Sequence, residues 1–134
     1  MQQHMNEILI PISPGELLDK ITILQIKSER ISDATKVANV RTELGMLEQV
    51  WSDTVKDDEQ IRALSSKLKS INEALWEIED DIRDEERNKR FSDRFIELAR
   101  AVYVTNDERA NAKKKVNLHL NSSIVEEKSY QDYK

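Results

Sequence analysis

Ile61-Arg-Ala-Leu-Ser-Ser-Lys-Leu-Lys-Ser-Ile-Asn-Glu-Ala-Leu-Trp-Glu-Ile-Glu-Asp-Asp-Ile82 is the stretch that decides the fold. Its apolar positions are Ile61, Leu64, Leu68, Ile71, Leu75, Ile78 and Ile82, and every step between them is three or four, in strict alternation. That spacing is a helical seam and does not fit a strand. The helix is expected to begin near Asp57-Asp58, where Asp57 and Gln60 resemble a capping box, and to end near Lys89-Arg90, where basic residues suit a helix C-terminus. About 33 residues of helix span roughly 50 Å. A compact domain of this size has a radius of gyration of only about 14 Å. This helix is therefore expected to overhang the bundle, which is either elongated or covered by a second chain, and a homodimer is expected.

The flanking sequence supplies three more helices. Ser13-Pro14-Gly15-Glu16 is a helix start: Ser13 caps, Pro14 occupies the first turn where no donor is missed, and Glu16 is placed to complete a capping box. This first helix is expected over about 14–31, with Leu17, Ile21, Leu24 and Ile31 on one stripe. Ile23 and Ile26 fall on another face, flanked by Asp19 and Arg30, and that second face is expected to hold the N-terminal arm or another subunit. A turn at Ser32-Asp33 leads to a second helix over about 34–54, where Val37, Val40, Leu44, Leu47 and Trp51 repeat at heptad spacing. Gly45 inside it costs about 1 kcal/mol relative to alanine, and close helix packing would account for it. The fourth helix starts at Ser92 or Asp93 and runs to about 121, with Phe95, Leu98, Ala99, Val102, Val116 and Leu120 inward. Ile8, Ile10 and Ile12 alternate as in a short edge strand, and Ile124-Val125 is a possible mate, so a two-stranded ribbon packed on the helices is expected.

The fold class expected is all-α: one elongated antiparallel bundle of about four helices over 1–134, with an extended arm at 1–12 and an extended tail at 122–134. Composition agrees. The chain has 134 residues, two glycines and two prolines, so it has few places to turn. It has no cysteine, which excludes a disulfide framework, a thiolate metal site and a cysteine nucleophile. Its 21 basic and 26 acidic residues give a net charge of −5, too balanced to point to nucleic acid. No apolar run is long enough for a membrane span, and Met1 to Glu7 lacks the order of a signal peptide, so a cytoplasmic protein is expected. No cofactor is implied.

The chemical anomaly lies on the fourth helix. Asn106, Arg109, Lys113 and Asn117 fall at steps of three, four and four on the arc that Phe95, Val102 and Leu120 mark as inward. Buried charge needs a partner. If helices three and four pair across residue 91, Asn106 lies level with Trp76 and Arg109 with Glu73, and Glu77 and Asp80 are near enough to serve as counter-ions. One reading is a polar pocket in which Arg109 and Lys113 bind a small phosphate- or nucleotide-like anion against Trp76 or Tyr103. The other is an internal salt-bridge layer that fixes register, or a helix that leaves the core after Val102. The acidic run from Glu77 to Glu86 also admits Mg²⁺ through Glu77 and Asp80. It resembles half of the paired E-x-x-E and E-x-x-D motif of all-α nucleotide pyrophosphohydrolases of the MazG type, but no upstream E-x-x-E completes it. A solvated face with ion pairs one turn apart explains the same run. His4 and His119 have no ligand at helical spacing.

Four strings carry a wider likeness: Ser13-Pro-Gly-Glu-Leu-Leu-Asp-Lys-Ile-Thr-Ile-Leu-Gln-Ile-Lys27, Leu75-Trp-Glu-Ile-Glu-Asp80, Phe95-Ile-Glu-Leu-Ala-Arg-Ala-Val-Tyr-Val-Thr-Asn-Asp-Glu-Arg-Ala110, and Ile124-Val-Glu-Glu-Lys-Ser-Tyr130. Together they resemble a domain-of-unknown-function family of small bacterial and phage-associated proteins. The resemblance implies no activity. It implies that Asp19, Lys20, Trp76, Glu77, Asp80, Arg100, Asn106, Asp107 and Arg109 belong to a shared site or a shared interface. Two functions are carried forward: a non-enzymatic assembly or adaptor protein working through helix surfaces, and a binder of, or enzyme on, a small anion at the polar layer.

Overall fold

A computed structural model describes residues 7–133 as four helices: α1 (Pro14–Arg30), α2 (Ala34–Thr54), α3 (Glu59–Arg87) and α4 (Asp93–His119). The all-α expectation is met, and the boundaries fall within a few residues of those read from the seams. α3 and α4 form the most extensive pair, α1 packs on both of them, and α2 packs on α1. The core is built from Leu18 of α1, Ile61, Leu68, Ile71 and Leu75 of α3, and Ala112 and Val116 of α4. Leu68 and Val116 are wholly buried. Truncating a residue such as Leu68 costs about 2–5 kcal/mol.

α1 is the hub. Leu17, Leu18, Asp19, Ile21, Thr22, Leu24 and Ile26 are all buried. A helix buried nearly all round has neighbours on several sides, and α1 touches each of the other three. Its second face is thus closed within the chain: Ile26 is 1% exposed and Asp19 2%. This corrects the expectation that Asp19 and Ile26 sit at a subunit interface. Ile23 is half-buried, and Arg30 turns to Glu73 and Glu77 of α3 (3.7 and 3.0 Å).

α2 is the opposite case. Val37, Val40, Leu44, Leu47 and Trp51 face inward but are only half-buried, and no residue of α2 is fully buried. Trp51 reaches the core cluster. Met46 and Val50 are about half exposed, at 47% and 49%. Gly45 does not mark a close approach, because an added Cβ there meets nothing within 4 Å.

The ends of the helices follow capping chemistry. Ser13 Oγ accepts from Glu16 N, and Asp33 accepts from Lys36 N. Asp58, not Asp57, caps α3 by accepting from Ile61 N at 2.7 Å. Ser92 begins α4 without a side-chain bond. α3 and α4 both end in a left-handed residue, Lys89 (φ 56) and Asn121 (φ 53). The next amides reach back to the Glu85 and Asn117 carbonyls (both 2.9 Å), which closes a Schellman motif at each end. α3 has 29 residues and is about 44 Å long. Arg30 ends α1 at Glu73 and Glu77, and residues 78–87 continue past that ion pair beside the start of α4, where Arg94 pairs with Asp81 at 3.4 Å, so α3 outruns α1 without overhanging α4.

No β-strand occurs among the described residues. The expected ribbon between Ile8–Ile12 and Ile124-Val125 is absent because the tail has a different partner. It folds back along α4, with Glu126 on Lys113 (3.4 Å), Glu127 on Lys114 (3.5 Å) and Lys128 on Asp107 (3.0 Å). Tyr133 meets Tyr103 edge-on at 5.0 Å.

Candidate functional site

The inward polar residues of α4 face α1, not α3. Arg109 lies 3.4 Å from the buried Asp19 carboxylate. Lys113 Nζ donates to Glu16 at 2.6 Å. Asn117 Oδ1 accepts from the Gly15 amide at 2.7 Å. Three successive turns of α4 therefore meet the first two turns of α1, one contact per turn. The expectation that Glu73 and Glu77 oppose Arg109 is overturned. Both turn to Arg30, because α1 crosses the α3–α4 pair and brings its own acids to the α4 cations.

The network is complete at the start of α1. Pro14 has no donor, Gly15 N is taken by Asn117, Glu16 N by Ser13 Oγ, and Leu17 N by the Ser13 carbonyl. The first three helical positions, which have no intrahelical acceptor, are thus accounted for, and Leu17 makes the first regular helical bond. Deeper in, Asn72 Nδ2 donates to Asp19 Oδ1 (2.9 Å) and to Thr22 Oγ1 (3.0 Å), while Thr22 donates to the Asp19 carbonyl (2.9 Å). Among the described residues no buried side-chain nitrogen or oxygen lacks a partner.

Electrostatics follow the pairing. Burial opposes the charge on Glu16, but Lys113 outweighs it and holds the carboxyl below its ordinary value. Burial likewise opposes the charge on Lys113, and Glu16, Asp19 and Glu126 together raise it above the usual lysine range. At the C-terminus of α4, His119 Nε2 lies 2.9 Å from Asp58. The Ile61 amide and then His119 lower the Asp58 carboxyl.

Two cavities flank this layer, and Arg109 and Asn106 line both. The first, about 530 Å³, lies between α4 and the tail and includes Tyr103, Lys113, Asn117 and Tyr130. The second, about 440 Å³, includes Ile23, Ile26, Asn72, Trp76, Asp80 and Arg83. The structure thus divides the residues singled out in the sequence. Asn106, Arg109, Lys113 and Tyr103 meet in one cavity, and Trp76 and Asp80 meet Asn106 and Arg109 in the other. Glu73 and Glu77 line neither.

Most of the acidic run of α3 is spent on cations, while Asp80 borders the second cavity. Glu77 holds Arg30, Glu79 holds Arg83, Asp81 holds Arg94, Asp84 holds Arg87, and Glu85 holds Arg90. Among the described residues no three acidic or histidine side chains are grouped to hold a metal ion. No helix among them is long and apolar enough to cross a membrane.

Sequence reasoning overlooked three contacts: Asn117 on the Gly15 amide, His119 on Asp58, and the tail on α4. A signal for the α1–α4 layer was present. Acids at 16 and 19 are one turn apart on α1, and cations at 109 and 113 are one turn apart on α4.

Residues 8–133 match a protein family described as a family of unknown function, DUF6165, so the chain belongs to that family. No curated protein and no solved structure matches it.

Proposed function

We propose that this member of a family of unknown function is a cytoplasmic, non-enzymatic assembly protein that works through its helix surfaces and self-associates as a homodimer. The observation that carries the reading is the contrast between α1 and α2. The charged layer of α4 is consumed inside the chain by α1, one partner per turn. α2 is a 21-residue helix that packs on α1 and has no buried residue. Surface of that kind is held ready for a partner rather than for chemistry. Size-exclusion chromatography with light scattering between 1 and 200 µM (roughly the range for a small helical contact) tests it. A mass that climbs toward twice 15.6 kDa supports the reading, and a monomer throughout overturns it.

A second reading rests on Arg109 and Asn106, which border both cavities. A guanidinium one-third exposed, beside an amide and near Trp76, suits a small anion carrying a flat ring. Thermal shift with inorganic phosphate, nucleotides and sugar nucleotides tests it. A shift lost in Arg109→Ala supports a ligand site, and no shift across the panel removes it.

A further inference from the structure

We infer that the second cavity is a nucleotide site that reads an amino group on the base: the base lies on Trp76 with its exocyclic amine on Asp80, and the phosphate meets Arg109. This rests on the ligand-site reading above and names its ligand class.

Asp80 is the spare acid of α3. Among the described residues it is the one acid from Glu77 to Glu86 that enters no ion pair. It borders the cavity of about 440 Å³, a volume usual for small-molecule sites. Trp76 lies one turn before it on the same face of the helix. Asn72 lies one turn before Trp76, and all three line the cavity. α1 adds Ile23 and Ile26, again one turn apart, so a flat ring finds aliphatic surface as well as the indole.

Asp19 fixes the other end. Its carboxylate holds Asn72 at 2.9 Å and Arg109 at 3.4 Å, and so sets Arg109 beside Asn72. Asp19 is itself 2% exposed and does not line the cavity. It meets Arg109 through one nitrogen and leaves the rest of a guanidinium that is one-third exposed open to a ligand. From Asn72 to Asp80 is two turns of α3, about 12 Å. That matches the reach of a nucleoside monophosphate from base amine to phosphate, with Trp76 between the two ends. Two arginines and two acids line the cavity, so its net charge selects nothing and the places of Arg109 and Asp80 decide. A carboxylate only accepts hydrogen bonds. It suits the exocyclic amine of cytosine or adenine and repels the carbonyl that uracil or hypoxanthine carries at the same position.

Calorimetric titration with two matched pairs tests this: cytidine against uridine monophosphate, and adenosine against inosine monophosphate. The amino member of each pair is expected to bind about tenfold more tightly. Cytidine without its phosphate should bind more weakly than its monophosphate. Asp80→Asn makes the carboxylate an amide that both donates and accepts, so the preference should vanish. Asp80 is exposed and without an ion pair, so melting should stay unchanged. Equal binding within both pairs, or a preference that survives Asp80→Asn, overturns the role of Asp80 and leaves an anion site at Arg109 standing. Binding of inorganic phosphate alone does the same. Cytidine that binds as tightly as its monophosphate overturns the phosphate end. No binding by the nucleotides or by inorganic phosphate overturns both the nucleotide assignment and the ligand site.

Discussion

Replacing Gly15 by alanine should separate α1 from α4. A Cβ at Gly15 would stand 2.9 Å from Asn117 Oδ1 and 3.0 Å from the Lys113 carbonyl carbon, and closer still to its oxygen. Ordinary contact is about 3.5 Å or more, so the helices must part by about 1 Å. Neither obstacle yields easily, since one is helix backbone and the other a buried side chain 2% exposed. Overpacking of this kind costs about 1–3 kcal/mol. Parting the helices also stretches the Gly15–Asn117 hydrogen bond, and leaving its buried groups unmet costs about 1–3 kcal/mol more. Alanine recovers up to about 1 kcal/mol in helix propensity. The net expectation is a loss of about 2–4 kcal/mol, or on the order of 10 °C in Tm for a chain of this length. Urea unfolding followed by helical circular dichroism measures it, with Gly45→Ala as the companion. Gly45 faces open space, so the same change there should stabilise the chain by up to about 1 kcal/mol. A Gly15→Ala midpoint equal to or above wild type would refute the close α1–α4 contact.

Other outcomes follow from the same layer and from the helix ends. Asp19→Ala strips Arg109 and Asn72 of their acceptor at a nearly closed site and should cost about 2–4 kcal/mol in urea unfolding, discounted for the one-third exposure of Arg109. Glu16 is held below its ordinary value of 4.5, so its contribution to stability is complete above that pH and is lost as pH falls through the lowered value. Lys113 is raised above 10.5, so its contribution is complete below that pH and lost as pH rises past it. The urea midpoint should therefore sag at both extremes, and Glu16→Gln should start lower and flatten the acid limb. Lys89→Gly removes a left-handed lysine from the α3 cap and should stabilise the protein by about 1 kcal/mol, read as a higher Tm.

The helices were legible because each carries an unbroken seam and a recognisable start. Ile61 to Ile82 alone defined α3, and Ser13-Pro14 defined where α1 begins. The polar layer was legible as an anomaly, since Asn106, Arg109 and Lys113 stand where apolar residues belong. Its partners were not. Register between α3 and α4 pointed to Glu73, but α1 crosses the pair and brings Glu16 and Asp19 closer. A two-helix argument has no means of showing that a third helix intervenes. The same limit explains the second face of α1. Ile23 and Ile26 marked a second packed side, which was given to the N-terminal arm or another subunit, whereas α1 packs on all three other helices. The tail was misread for another reason: Ile124-Val125 suggested pairing by β-branching, while the stronger local signal was charge, with Glu126-Glu127 opposite Lys113-Lys114.

The central claim is that α1 closes the polar layer of α4 inside the chain, so that Lys113 and Arg109 serve the fold. A double-mutant cycle of Glu16→Gln and Lys113→Met, read by urea unfolding, tests it most directly. A coupling of about 0.5–2 kcal/mol between the two sites is the result expected, discounted for the partial exposure of Glu16. Losses that simply add, with no coupling, would contradict it.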